Sequence, residues 1–166
     1  MKTDKFITHR GAVLSDCEKY RYVLTRGYNM HYIPFVMLNP STADAMEDDN
    51  TIRRCIGFAS SWGYHGLIVL NLYAYRATDP KALKQIPREE AIGPENENYW
   101  EHYLKDQDKV VCGWGSNADK EIVEQFWTFC QNNDIKTYCL GITKANAPKH
   151  PLYLKADTQL VEWKYK

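Results

Sequence analysis

Residues 33–39 read Ile-Pro-Phe-Val-Met-Leu-Asn, and residues 66–71 read Gly-Leu-Ile-Val-Leu-Asn. Each is a short apolar run that stops at asparagine. An unbroken apolar run of this length fits a strand buried on both faces, as in a parallel sheet; a half-exposed strand would alternate. Pro34 is tolerable near the start of such a strand, where one lost N–H matters least. Between the two runs, Ile52, Cys55, Ile56 and Ala59 recur at helical spacing over residues 52–62. Asp49 or Asn50 is placed to cap that helix, and Gly63 to end it. Strand, helix, strand is the βαβ unit.

The pattern continues outward. Lys109-Val110-Val111-Cys112 reads as a third strand, halted by Gly113-Trp114-Gly115, and residues 137–140 as a fourth, halted by Gly141. Helices are expected over residues 95–105 and 117–132. Residues 77–95 read as a loop with short helical pieces, punctuated by Pro80, Pro87, Gly93 and Pro94. Tyr20–Leu24 is aromatic and β-branched, which suggests a strand leading into a turn at Gly27. Leu160–Trp163 reads as a terminal strand or packing arm. The expected fold is a single α/β domain over residues 1–166: three layers, α/β/α, around a central, mostly parallel four-stranded sheet.

Composition narrows the function. The formal net charge is zero over 166 residues. Gripping a long nucleic acid requires a basic excess, because phosphate neutralisation supplies most non-specific affinity. Only local groups remain: Lys19, Arg21 and Arg26, and the Arg53-Arg54 pair. Aromatic residues make up 13%, and Tyr and Trp suit both binding clefts and wet core rims. The five cysteines form no C-x-x-C pair, so neither zinc nor a disulfide framework is expected. Met1–Phe6 carries no apolar leader core, and no apolar run reaches the length of a membrane span. The expectation is a cytoplasmic protein without cofactor or metal.

In open parallel sheets, ligands bind at the carboxyl ends of the strands. There the sequence places Asn39-Pro40-Ser41-Thr42, Asn71-Leu72-Tyr73, Trp114, and the loop from Gly141 to His150-Pro151-Leu152. An asparagine amide offers donors and an acceptor, which suits the paired edge of a nucleobase; it also caps turns. Pro151 biases His150 toward extended backbone, and a neutral histidine can donate to a developing anion. Asp44, Asp48 and Asp49 are candidate proton acceptors, or loop and cap residues. Arg53 can clamp a phosphate or face solvent. Trp114 can stack on a flat ring or fill the core.

Val36–Asp44, Thr51–Ala59, Asn71–Pro80, Gly93–Asn96 and His150–Leu154 together resemble a bacterial and phage family known as a domain of unknown function. More distantly, three blocks are similar to motifs of the uracil-DNA glycosylase superfamily. Leu38-Asn39-Pro40 resembles its G-I-N-P-G-type strand end, whose Asn or Asp positions the attacking water. Ile68–Asn71 resembles its L-L-L-N strand, whose Asn reads the base. His150-Pro151-Leu152 resembles its H-P-S-P-L loop, whose His supports the leaving base and whose apolar residue wedges into the duplex. Here Ser41 replaces a frequent Gly, and the late loop lacks the Ser and the second Pro.

The resemblance implies a uracil-DNA-glycosylase-like fold that recognises a nucleobase and hydrolyses its N-glycosidic bond in DNA or a nucleotide. Asn39, His150 and Asp44 would be catalytic. Pro40, Ser41, Thr42, Asn71, Tyr73, Arg53, Trp114, Pro151 and Leu152 would contact the ligand, with Leu152 or Leu154 as the wedge. The alternatives are a non-catalytic binder that sequesters a free nucleotide or cyclic nucleotide signal, and a module whose motifs serve folding alone. DNA and a second copy of the chain are admitted as partners.

Overall fold

The structure is a computed structural model that describes residues 10–27 and 31–166; the leader reading at Met1–Phe6 lies outside them. Its strands are β1 (Arg10–Leu14), β2 (Arg21–Gly27), β3 (Tyr32–Met37), β4 (Gly66–Asn71), β5 (Lys109–Cys112), β6 (Lys136–Cys139) and β7 (Val161–Glu162). Its helices are α1 (Asn50–Ser61), α2 (Arg88–Ile92), α3 (Asn96–Leu104) and α4 (Lys120–Asn132), with 3-10 turns at Pro80–Gln85 and Pro151–Tyr153.

All seven strands form one sheet in the order β1-β2-β4-β3-β5-β6-β7. The four runs expected as the central parallel strands, β4, β3, β5 and β6, lie side by side and are mutually parallel, and the stretches read at Tyr20–Leu24 and Leu160–Trp163 supply β2 and β7. The expectation of a mostly parallel, four-stranded sheet is corrected at its edges. There β2 pairs antiparallel with β4, β1 with β2, and β7 with β6, so the sheet is mixed. The added strands satisfy backbone groups that the outer parallel strands would otherwise leave open.

Alternate side chains feed two cores. Phe35, Met37, Val69 and Val111 pack with Ile52, Cys55, Phe58 and Ala59 of α1. Val36, Ile68, Leu70 and Val110 pack with Trp100 and Leu104 of α3 and with Ile122, Phe126 and Cys130 of α4. Burial on both faces explains the unbroken apolar runs of β3 and β4. The α1 start is set by Asp49, which accepts the Ile52 N–H at 2.9 Å. Gly63 follows the helix at φ +87°, a conformation that favours glycine. Among the described residues, no helix is long and apolar enough to cross a membrane.

Candidate functional site

A cavity of about 790 Å³ opens at the carboxyl ends of the four parallel strands. That size suits a drug- or nucleotide-sized ligand. β3 delivers Asn39 and Ser41 to it, β4 delivers Asn71, the segment after β5 delivers Trp114, and the loop after β6 delivers His150 and Leu152. Six residues expected at a site from sequence thus line one cavity. The N-terminus of α1 forms another wall.

Asn71 lies on the floor at 1% exposure, and neither its Oδ1 nor its Nδ2 has a hydrogen-bond partner. A buried amide left this way costs about 1–3 kcal/mol per unpaired group. Its backbone, by contrast, is tightly held. The Asn71 carbonyl accepts from Asn96 Nδ2 at 2.9 Å and from Trp100 Nε1 at 3.0 Å, and Asn96 also donates to the Leu72 carbonyl at 3.0 Å. Asn96 and Trp100 of α3 therefore fix the end of β4 while the buried Asn71 amide is left unpaired.

Asn39 is oriented by two carbonyls. Its Nδ2 donates to Ala77 at 2.8 Å and to Pro40 at 3.0 Å. Two acceptors facing one end of the amide identify that end as NH₂. The group left for a ligand or water is the acceptor Oδ1.

His150 begins the 3-10 turn, and its Nδ1 accepts the Leu152 N–H at 3.2 Å. An accepting Nδ1 carries no proton, so the neutral ring carries its hydrogen on Nε2 as a donor. Desolvation by the surrounding residues lowers the imidazole pKa below its ordinary value although the residue is solvent-exposed, and the Asp49 carboxylate acts in the opposite sense. The neutral donor is the form present at pH 7.

Three charged residues also line the cavity: Asp49, Arg21 and the exposed Lys149. Asp49 caps α1 from its wall. Arg21 opens β2 at 2% exposure; its NH1 donates to the Ala43 carbonyl at 2.8 Å and its Nε has no partner. Burial pulls the guanidinium down to about 10, opposed chiefly by Asp49, so it stays a cation at neutral pH. The sequence offers Arg21 only as part of a basic patch. It reaches the cavity because β2 runs antiparallel to β4, which sets the start of β2 beside the end of β4.

Other expected residues lie elsewhere. Asp44 does not line the cavity: its Oδ1 accepts the N–H groups of Met46 and Glu47, both at 2.9 Å, and these bonds lower its pKa. Asp48 pairs with Arg26 at 2.7 Å and Arg10 at 2.9 Å. The carboxylate on the wall is Asp49. Arg53 turns back to Asn50 Oδ1 and the Asp48 carbonyl, both at 3.0 Å. Tyr73 lines a separate cavity and donates to Asp119 Oδ2 at 2.6 Å; burial and that bond push it up to about 12. Pro40 and Thr42 flank the lining without joining it.

Pro151 is buried behind the wall, where a side chain on Gly113 would meet its Cδ at 3.3 Å and Met37 Sδ at 2.9 Å. Trp114 is 2% exposed and packed edge-to-face with Phe126 and Trp163, so it forms wall and core rather than a free stacking plate. Leu152 and Leu154 line the cavity, and the side chain projecting from their turn is Tyr153, 93% exposed. The residue that projects furthest from this turn is thus Tyr153, between the two leucines expected there.

The fold and site define an α/β protein with a polar-floored, ligand-sized cavity at the carboxyl ends of its parallel strands. The chain belongs to the family described as Protein of unknown function (DUF1643), whose model matches residues 21–152. That span opens at Arg21 and closes at Leu152, both on the cavity wall. No curated protein and no solved structure matches the chain.

Proposed function

We propose that this protein recognises a nucleobase in the cavity and hydrolyses its N-glycosidic bond, in the manner of a uracil-DNA-glycosylase-like enzyme. The observation that carries this is Asn71: a rigidly backed amide, buried on the cavity floor with donor and acceptor both unused. A nucleobase edge presents the matching acceptor and donor side by side.

The groups around Asn71 suit the bond-breaking step. A water held on Asn39 Oδ1 attacks the sugar carbon, and the C–N electron pair leaves with the base. An amide is no general base, so the water proton passes to the Asp49 carboxylate. The His150 Nε2–H donates to the departing base and spreads its negative charge.

A second reading is a non-catalytic binder that holds an intact nucleotide or cyclic nucleotide. The zero net charge and the buried Arg21 on the cavity favour it. One experiment separates the two. The full chain is incubated with modified-base oligonucleotides, nucleosides and nucleotides, and its products and bound species are measured by mass spectrometry. Free base with an abasic product establishes hydrolysis. An intact retained nucleotide establishes the binder. Neither release nor retention across the panel overturns both readings.

A further inference from the structure

Two arginines of β2 are almost fully buried, Arg21 and Arg26, at 2% and 4% exposure. Arg26 shows how this fold satisfies such a group. Its Nε meets Asp48 at 2.7 Å, its NH1 meets the carbonyls of Thr25 at 2.8 Å and Gly11 at 3.3 Å, and its NH2 meets the carbonyls of Glu47 and Asp44. Arg21 has one bond, to the Ala43 carbonyl, and its Nε is orphaned. Among the described residues, no carboxylate lies within 4.0 Å of its guanidinium.

A buried charge without a paired counter-charge is strongly destabilising. Asp49 offsets part of it at longer range, but its Oδ1 is spent on the Ile52 N–H, and Arg76 and Arg26 add further positive charge around Arg21. Lys149 stands on the same cavity wall. The floor therefore carries two unmet demands: a base edge for Asn71 and an anion for Arg21.

We propose that Arg21 is an anion subsite within the cavity, and that the ligand is a nucleoside phosphate with its base on Asn71 and its phosphate on Arg21. This rests on the nucleobase reading and narrows its substrate class. A buried guanidinium whose Nε lacks a partner suits a phosphate oxygen. Arg21 is 2% exposed, and a phosphate within a continuous strand would have to bring chain on both of its sides into the space the base occupies. The phosphate is therefore terminal, on a free nucleotide or at a strand end.

The test is calorimetric titration of the full chain, at constant ionic strength, with common nucleosides, their monophosphates, inorganic phosphate, and short oligonucleotides with and without a terminal phosphate. At least one monophosphate is expected to bind about tenfold or more tightly than its nucleoside. Inorganic phosphate is expected to compete with it, and Arg21→Gln to remove the preference while nucleoside binding survives. The phosphate competition on the unmodified chain decides the matter if Arg21→Gln does not fold. Tight binding of phosphorylated oligonucleotides but not of free monophosphates assigns the phosphate to a strand end; the reverse assigns it to a free nucleotide.

Equal affinity for nucleosides and monophosphates, without phosphate competition, overturns the anion subsite and leaves the nucleobase reading standing. Phosphate-dependent binding indifferent to the base and to Asn71→Leu overturns the nucleobase reading instead. No binding by any probe overturns both.

Discussion

Asn96 donates its side-chain amide to the backbone carbonyl of Asn71 at 2.9 Å, so the first residue of α3 holds the last residue of β4. The same NH₂ group also reaches the Leu72 carbonyl at 3.0 Å. Both carbonyls lie in a fully buried region, where an unmet acceptor is costly. Asn96→Leu removes both bonds, leaving the Leu72 carbonyl unmet while the Asn71 carbonyl keeps Trp100 Nε1, and is expected to destabilise the protein by about 1–3 kcal/mol, read as a lower urea midpoint with unchanged slope. A change below about 0.5 kcal/mol would show that the clamp is incidental.

Asn71 predicts the opposite sign. Its amide has no partner to lose, so Asn71→Leu, close in volume, exchanges unmet polar atoms for apolar ones. Stability is expected to rise by about 1–3 kcal/mol while nucleobase binding is lost. Chemical denaturation and calorimetry read the two effects. A destabilised variant would mean that the amide is satisfied in solution and is not waiting for a ligand.

The three aspartates after β3 separate by role. Asn caps a helix about as well as Asp, so Asp49→Asn keeps the α1 cap and removes the carboxylate from the cavity. Hydrolysis is expected to fall by about 10²-fold or more, and stability to fall modestly, because the charge that offsets Arg21 is lost while the cap is kept. Asp44→Asn leaves the cavity lining untouched and is expected to keep activity. If Asp44→Asn were the inactive variant in a steady-state base-release assay, Asp49 would lose its assignment.

His150 sets the acid limb. Desolvation by its neighbours lowers its folded pKa below the unfolded value of about 6.5, by an amount that solvent screening keeps small because the residue is exposed. The unfolded chain therefore binds the proton more readily. The stability contribution is fully present above about pH 6.5 and is lost as pH falls through the folded value. Protonation also ends the Nδ1 acceptor bond to Leu152. Base release is expected to be insensitive to this group above about pH 6.5 and to decline below it. An NMR titration of the His150 ring midpoint above 6.5 would reverse that sign.

The sequence made the parallel strands legible because burial on both faces writes an unbroken apolar run, and made α1 legible through the Asp49 cap and its helical spacing. Asn39, Asn71 and His150 were legible because strand ends in parallel sheets face one way. β1 was not: Arg10–Leu14 is short, half-exposed and too mixed to carry a period. Nor was Arg21, whose burial depends on β2 pairing antiparallel to β4, a long-range relationship with no local signature. Asp44, Asp48 and Asp49 are indistinguishable by spacing, since turn bonds and arginine partners decide which one faces the cavity. Asn96 was visible only within a motif, because its role lies in a contact 25 residues away.

The most direct measurement is the side-chain amide resonance of Asn71, assigned in a ¹⁵N-labelled sample by its loss in Asn71→Leu, during titration with a mixed pool of nucleosides and nucleotides. A nucleobase seated on the cavity floor shifts both Asn71 NH₂ protons saturably, at the same midpoint as calorimetric binding. If ligands bind while those resonances stay in place, the base does not sit on Asn71 and the cavity serves some other group.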